Sequence, residues 1–284
     1  MQISAQSVRE LRTRTGAGMM ECKLVLNESD GDLYRAEALL KERGRLAVEK
    51  RHGRETNDGR LFLRCRGTRA VLIELRCETD YVAMNSEFAK LGEACVEIAY
   101  NAGDALRIEA FEPLVAESVA RIKENIVIGR IRTLDSRKNE YLSGYVHGTE
   151  AKIGSLVRIS TTGEYSPSVE GVMHELALHV VAAAPQFVSG DLIPAVTQAQ
   201  VTATFVDEAE RFGKSQSLLA KIVEGRWNRY REKRCLLEQG YFRDESRPVR
   251  AWLADIAAAQ GMPIAVTGIG YINVRDRPSD ADPT

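Results

Sequence analysis

A chain of 284 residues, 44% apolar and 28% charged, is expected to fold into more than one compact, soluble unit. Its formal net charge of −1 argues against a general nucleic-acid binder, which would carry a pronounced basic excess, and no run approaches the ~20 apolar residues of a membrane span. Met1-Gln2-Ile3-Ser4 lacks the basic and apolar regions of a secretion signal, and the five cysteines (Cys22, Cys65, Cys77, Cys95, Cys235) show no Cys-x-x-Cys spacing, so reduced thiols in the cytoplasm are expected.

The first fifty residues predict three short helices. Ser4 can cap the first, in which Val8 and Leu11 stand three apart, and Thr13 to Gly18 break it. The second runs from about Met19 to Glu28, with Cys22, Val25 and Leu26 at helical spacing, and stops at the turn cluster Ser29-Asp30-Gly31. Asp32 can cap the third, which places Leu33, Ala36, Leu39 and Leu40 on one face and ends at Gly44. With so little apolar content the bundle is small and marginal. Residues 45–58, highly charged and closed by Asn57-Asp58-Gly59, read as a linker.

The hydrophobic period then changes. Leu61-Phe62-Leu63 and Ala70 to Cys77 flank Arg66-Gly67-Thr68 as a β-hairpin, with Val71, Ile73, Leu75 and Cys77 on one buried face of the second strand. Glu78-Thr79-Asp80-Tyr81-Val82-Ala83-Met84-Asn85 connects that strand to a helix that Ser86 can cap, carrying Phe88, Leu91, Cys95 and Ile98 inward as far as Asn101-Ala102-Gly103. A carboxylate and a ring side by side on this connection admit two readings: a helix cap with a core ring, or a functional tip held on a rigid scaffold. Pro113 opens a further helix with Leu114, Glu117, Val119 and Ile122, and Ile126, Ile128 and Leu134 return to extended structure.

From residue 141 the same order recurs. Tyr141 to His147 and Ile153 to Ser160 read as strands around a Gly148-containing turn, followed by a helix from about Val169 to Ala183 with Met173, Leu176, Ala177 and Val180 inward. Strand, turn, strand, helix thus appears twice, which points to an internally duplicated α+β core. Residues 194–233 are purely helical, with one stripe of Val201, Phe205, Ala209 and Phe212 and another of Leu219, Ile222, Val223 and Tyr230. Gly213-Lys214 between them supplies the reversal of a protruding hairpin. A last helix (Val249, Leu253, Ile256, Ala257) and a strand from Ile264 to Val274 complete the second half, and the charged tail Arg275 to Thr284 reads as disordered.

No reaction chemistry is legible. His174 and His179 stand five apart, which swings them roughly 140° around a helix, whereas a zinc-protease motif needs four. Gly16-Ala17-Gly18 has neither a preceding strand nor the Gly-Lys-Ser/Thr ending of a phosphate loop, Gly268-Ile269-Gly270 has no following helix, and there is no Gly-x-Ser-x-Gly elbow. Catalytic residues, metal ligands and cofactors are therefore expected to be absent.

Three stretches resemble the bacterial translation elongation factor Ts family. The first is Val8-Arg9-Glu10-Leu11-Arg12-Thr13-Arg14-Thr15-Gly16-Ala17-Gly18-Met19-Met20-Glu21-Cys22-Lys23, with Gly31-Asp32 ahead of the third helix. The second is Thr79-Asp80-Tyr81-Val82, and the third is His147-Gly148, then His179-Val180, then Val223-Glu224-Gly225-Arg226, all collinear over nearly the whole chain. The resemblance implies a three-helix, ubiquitin-associated-like module over 1–52, a core N-subdomain over 53–140 and a core C-subdomain over 141–193 and 234–275. It further implies a coiled-coil hairpin over 194–233, which leaves open a homodimer or 2:2 complex through it, and a tail over 276–284.

The family exchanges guanine nucleotide on the GTPase elongation factor Tu, without contact to nucleic acid or membrane. Carried over, Asp80 and Tyr81 would wedge into the GTPase domain and disturb its Mg²⁺ site, with Thr79 and Val82 shaping the tip. Arg12, Met19, Met20 and Lys23 would dock that domain, one methionine buried and one exposed, and His147 would contact the partner near its phosphate side. His147 alone would be an ordinary strand histidine, and His179 is either core or contact. The family usually has phenylalanine at Tyr81 and a basic residue at Gly129, and 226–250 is richer in arginine than the resemblance leads one to expect. Tyr81 and Gly129 keep a second reading open, a non-exchanging scaffold or chaperone-like binder of the same GTPase.

Overall fold

A computed structural model describes residues 3–51, 53–210 and 216–276. It is an α+β fold, and its packing divides the chain into two units, Met1–Phe62 with Ile73–Arg130, and Leu63–Leu72 with Ile131–Thr284.

The first unit opens with helices α1 (Ala5–Thr15), α2 (Met19–Glu28) and α3 (Leu33–Arg51). Ser4 Oγ accepts from the Ser7 N–H at 3.0 Å, and Asp32 Oδ1 accepts from the N–H groups of Tyr34 and Arg35 at 2.9 and 3.1 Å, so both caps read from the sequence form. Val8, Leu11, Cys22, Val25, Leu26 and Ala36 make the core of this bundle. The third helix does not end at Gly44, and the linker expected from residue 45 begins as helix. A Cβ on Gly44 would stand 3.4 Å from the Ala120 side chain, so this glycine permits a close helix approach rather than marking a stop.

Strands β1 (Asp58–Arg66), β2 (Arg69–Cys77) and β3 (Ile126–Asp135) form a sheet in the order β1-β2-β3. The central strand is buried on both faces from Ala70 to Leu75, not on the single face its alternation suggested. Between β2 and β3 lie a one-turn helix α4 (Asp80–Ala83), then α5 (Ser86–Ala102) and α6 (Glu112–Ile122). The cap of α5 is Asn85, whose Oδ1 accepts from the Glu87 N–H at 2.8 Å, and Ser86 is already helical. Gly92 of α5 leaves the space that the Phe62 ring fills; a Cβ there would lie 2.1 Å from it.

The second unit repeats the order of elements. Strands β4 (Glu140–His147), β5 (Ile153–Thr161) and β8 (Ile264–Asn273) form an antiparallel sheet in the order β4-β5-β8. Helix α7 (Pro167–Ala183), capped by Ser166, packs Val169, Met173, Leu176 and Val180 against it. Helices α8 (Ala195–Glu210) and α9 (Gln216–Arg234) pack against each other; Phe212, Gly213 and Lys214 of the expected reversal lie outside the described residues. Phe205, Trp227 and Tyr230 form a ring cluster with centroids 5.3–6.3 Å apart, and Trp227 Nε1–H donates to Thr202 Oγ1 at 3.2 Å. Two short strands, β6 (Gly240–Tyr241) and β7 (Asp244–Pro248), lead into α10 (Val249–Gln260). Of the tail read as disordered, residues 277–284 lie outside the described residues.

Candidate functional site

The connection between β2 and α5 is built in two halves, one anchored and one presented. Thr79, extended at φ −126° and ψ 155°, caps α4, its Oγ1 accepting from the Val82 N–H at 3.3 Å. Val82 and Ala83 turn inward and are 5% and 1% exposed, while Tyr81 is 80% exposed and Met84 53%. Asp80 is exposed too, and its Oδ1 accepts from the N–H of Tyr81 at 2.8 Å. The pair is not a helix cap with a core ring: Asp80 does not cap α5, and the Tyr81 ring is not in a core.

What grips this turn lies far away in sequence. Glu124 takes the Thr79 N–H on Oε2 at 3.1 Å and the Thr79 hydroxyl on Oε1 at 2.7 Å, across 45 residues. Beside it, the Asn125 N–H donates to Glu78 Oε1 at 2.6 Å, and Arg54 Nη1 lies 3.5 Å from Glu78 Oε2. β3 enters the sheet next to the end of β2, which brings 124–125 against 78–79. No local pattern announces that pairing, and Glu124 was not singled out from the sequence.

On α1 and α2, Arg12 and Lys23 are exposed, and so are both methionines, Met19 at 41% and Met20 at 79%. The expectation that one would be buried fails because Cys22, Val25 and Leu26 already fill the inward stripe of α2. Met20, Lys23 and Leu24 share the opposite face at helical spacing, and the 52% exposure of Leu24 adds an apolar residue that sequence reading missed. His147 lies in the second unit, exposed at the end of β4, where its Nδ1 is 3.1 Å from the Tyr145 hydroxyl.

His179 is core. It is fully buried, its Nδ1 accepts from the Phe242 N–H at 3.2 Å, and its Nε2 is 3.0 Å from Gln239 Oε1. These partners select the Nε2–H tautomer, and burial, outweighing the Gln239 bond, lowers its pKa. His174 on the same helix is exposed, so the two do not converge. Burial also pushes the Cys95 thiol up to about 12 and the Cys235 thiol up to about 11, which leaves neither a ready nucleophile.

The arginine-rich region is occupied by the fold itself. Arg243 forks onto Glu175 with two bonds of 2.8 Å, Arg250 pairs with Glu238 and Arg247 with Asp255. The Arg226, Arg231 and Arg234 guanidinium groups lie 5.6–6.0 Å from the Phe205, Trp227 and Tyr230 ring centroids.

Gly129 has a packing reason as well. A Cβ there would stand 2.5 Å from Oε2 of Glu74, a carboxylate 1% exposed in the middle of β2. Burial raises the Glu74 pKa, but Arg130, bonding through its backbone N–H (3.0 Å), Nε (2.8 Å) and Nη2 (3.0 Å), and Arg76 (2.7 Å) together hold it below the usual carboxylate value.

Among the described residues no helix is long and apolar enough to cross a membrane. The family model described as elongation factor TS matches residues 78–273, which takes in the tip, β3, the β4-β5-β8 sheet and the hairpin. A protein named elongation factor Ts from Borrelia hermsii is 32% identical over 278 residues, covering 96% of this chain and all of the relative. One of the same name from Clostridium botulinum is 34% identical over 93% of this chain and 90% of its own, and one from Treponema denticola is 30% identical over 92% and 94%. With relatives matched nearly end to end and the family model covering residues 78–273, more than half of the chain, this chain belongs to the elongation factor Ts family.

Proposed function

We propose that this chain is a guanine-nucleotide exchange factor that binds elongation factor Tu in its GDP form, disturbs the Mg²⁺ and phosphate site, and promotes GDP release during translation elongation. A GTPase holds GDP through backbone donors around the phosphates and a Mg²⁺ ion that neutralises their charge. An exchange factor breaks no bond. It has only to bind the nucleotide-free partner better than the nucleotide-bound one, because differential affinity shifts the equilibrium.

The observation that carries this reading is Tyr81, 80% exposed on a one-turn helix whose Val82 and Ala83 are locked inward. A ring placed so gains about 1.5–3 kcal/mol when a partner buries it, and inserted between packed elements it separates them. The Asp80 carboxylate beside it would disturb the polar network that supports the metal. Thr79 and Val82 shape the tip. Arg12, Met19, Met20 and Lys23, joined by Leu24, would dock the GTPase domain, two adaptable thioethers suiting such a contact. His147, in the second unit, would contact the partner near its phosphate-binding side. Glycine at 129 has a packing reason in Glu74, which is independent of the choice between exchange and a non-exchanging scaffold.

The test is release of labelled GDP from elongation factor Tu with and without this protein. Acceleration of about tenfold or more is expected, and Asp80→Ala with Tyr81→Ala should abolish most of it without lowering the melting temperature. Binding without accelerated release would establish the scaffold instead.

A further inference from the structure

The bonds at the base of the tip do not stop there; they run on to the N-terminal helices. Lys123 is the left-handed C-cap of α6 (φ 66°), its N–H donating to the Val119 carbonyl. Its own carbonyl accepts from Arg51 Nε, on the last residue of α3, at 3.1 Å. Asn125 Nδ2 donates to the Arg54 carbonyl at 2.8 Å, just beyond that helix, and Arg54 faces Glu78. Glu124, between Lys123 and Asn125, holds Thr79 with two bonds. Arg51 and Arg54, residues 123–125 and residues 78–79 thus close a circuit between the end of α3 and the start of α4. Gly44 and Ala120 in close approach add a packing contact between α3 and α6.

We propose that Glu124 is a positioning residue for nucleotide exchange, and that residues 123–125 are a brace carrying the tip and the α1–α3 face as one body. This rests on the tip being the working element. A four-residue helix cannot hold itself, since nucleating one turn is unfavourable in isolation. Wedging a ring into a partner needs a mount that does not yield, or the binding energy goes into ordering the loop instead. Thr79 supplies that mount through one hydroxyl used twice, accepting from Val82 within the helix and donating to Glu124 outside it. Glu124 acts through Thr79 and not through the partner.

The experiment is GDP release from elongation factor Tu as a function of the concentration of this protein. Glu124→Ala should lower the plateau rate about tenfold, the loss of charge-assisted bonds, while the half-saturating concentration, set by the docking face, stays within about twofold. Glu124→Gln, which keeps one accepting oxygen, should fall between wild type and Glu124→Ala. Thr79→Val should be slow and Thr79→Ser should recover most of the lost rate, because only serine restores the shared hydroxyl. A plateau rate for Glu124→Ala within about twofold of wild type, with Tyr81→Ala slow in the same assay, overturns the brace and leaves the tip standing. An undiminished rate for Tyr81→Ala removes the tip reading and the brace with it. A fall in plateau rate matched by an equal rise in half-saturation and a lower melting temperature would mean a purely structural role, and also overturns the proposal.

Discussion

Gly129→Ala adds a single methyl yet is expected to disturb the first unit, and its cost follows from one side chain. The added methyl would lie 2.5 Å from Glu74 Oε2, 2.9 Å from Cδ and 3.0 Å from Cγ, against the roughly 3.5–4.0 Å of a relaxed contact. A free glutamate would swing aside, but this one is held by Arg130 through three bonds and by Arg76 through a fourth, at 1% exposure. Overpacking alone costs about 1–3 kcal/mol, and breaking the fork leaves buried charge uncompensated at about 3–5 kcal/mol. We expect a loss of about 3 kcal/mol. Both tryptophans, Trp227 and Trp252, lie in the second unit and would not report it, so the assay is urea unfolding followed by circular dichroism together with hydrogen exchange at the β2 amides. Glu74→Ala should itself cost about 3–5 kcal/mol, and in that background Gly129→Ala should cost less than about 1 kcal/mol, because the obstacle is gone. If Gly129→Ala costs under about 0.5 kcal/mol, or the same in both backgrounds, the clash is not what keeps this position glycine.

The remaining expectations concern the buried histidine and the two exposed faces. His179 has its folded pKa lowered by burial, so the unfolded chain takes up a proton first as pH falls below about 6.5; stability of the second unit is full above that value and declines through the window beneath it. His179→Phe should flatten that decline while costing about 1–3 kcal/mol at neutral pH through the unpaired Gln239 and Phe242 groups, read by fluorescence of Trp252, which stacks on Tyr241 at 4.6 Å. Tyr81→Phe should leave both stability and GDP release within about twofold of wild type, since the ring and not its hydroxyl does the wedging; a larger loss in release would give the hydroxyl a contact of its own. Met20→Ser with Leu24→Ser should raise the half-saturating concentration about tenfold or more with the plateau rate kept, and a fall in plateau rate alone would move docking elsewhere.

How far the sequence could be read depended on whether the cause of a feature was local. The helix caps at Ser4 and Asp32, the inward stripe of α7 and the strand–helix order of both halves depend on neighbours three or four residues away, and those patterns were visible. β2 looked one-sided because alternation marks Val71, Ile73 and Leu75, while Leu72 and Glu74 are buried by elements the strand itself does not name. Gly44 read as a helix stop because sequence carries no mark of the α6 surface against which the helix runs on. Tyr241 and Phe242, between Gly240 and Arg243, were passed over as part of a charged region, although Tyr241 stacks on Trp252 and its hydroxyl donates to Glu175 at 2.6 Å. At the tip, the resemblance supplied Thr79 to Val82, but the division into anchored and presented residues and the grip of Glu124 arise only when β3 closes beside β2.

Helix α4 keeps stability and recognition on separate residues. Val82 and Ala83 belong to the interior, whereas the side chains of Tyr81 and Met84 are largely exposed and Asp80 adds only an exposed bond to the Tyr81 N–H. Mutational drift at these three outward positions is therefore filtered by the partner alone, and a change that ruins exchange would still yield a well-folded, abundant molecule. The turn works like a type slug in a printing frame: the character on its face can be recut while the frame stays locked. A library randomised at 80, 81 and 84 should keep its melting temperature throughout, which makes this short turn a practical place to select exchange factors for altered GTPases.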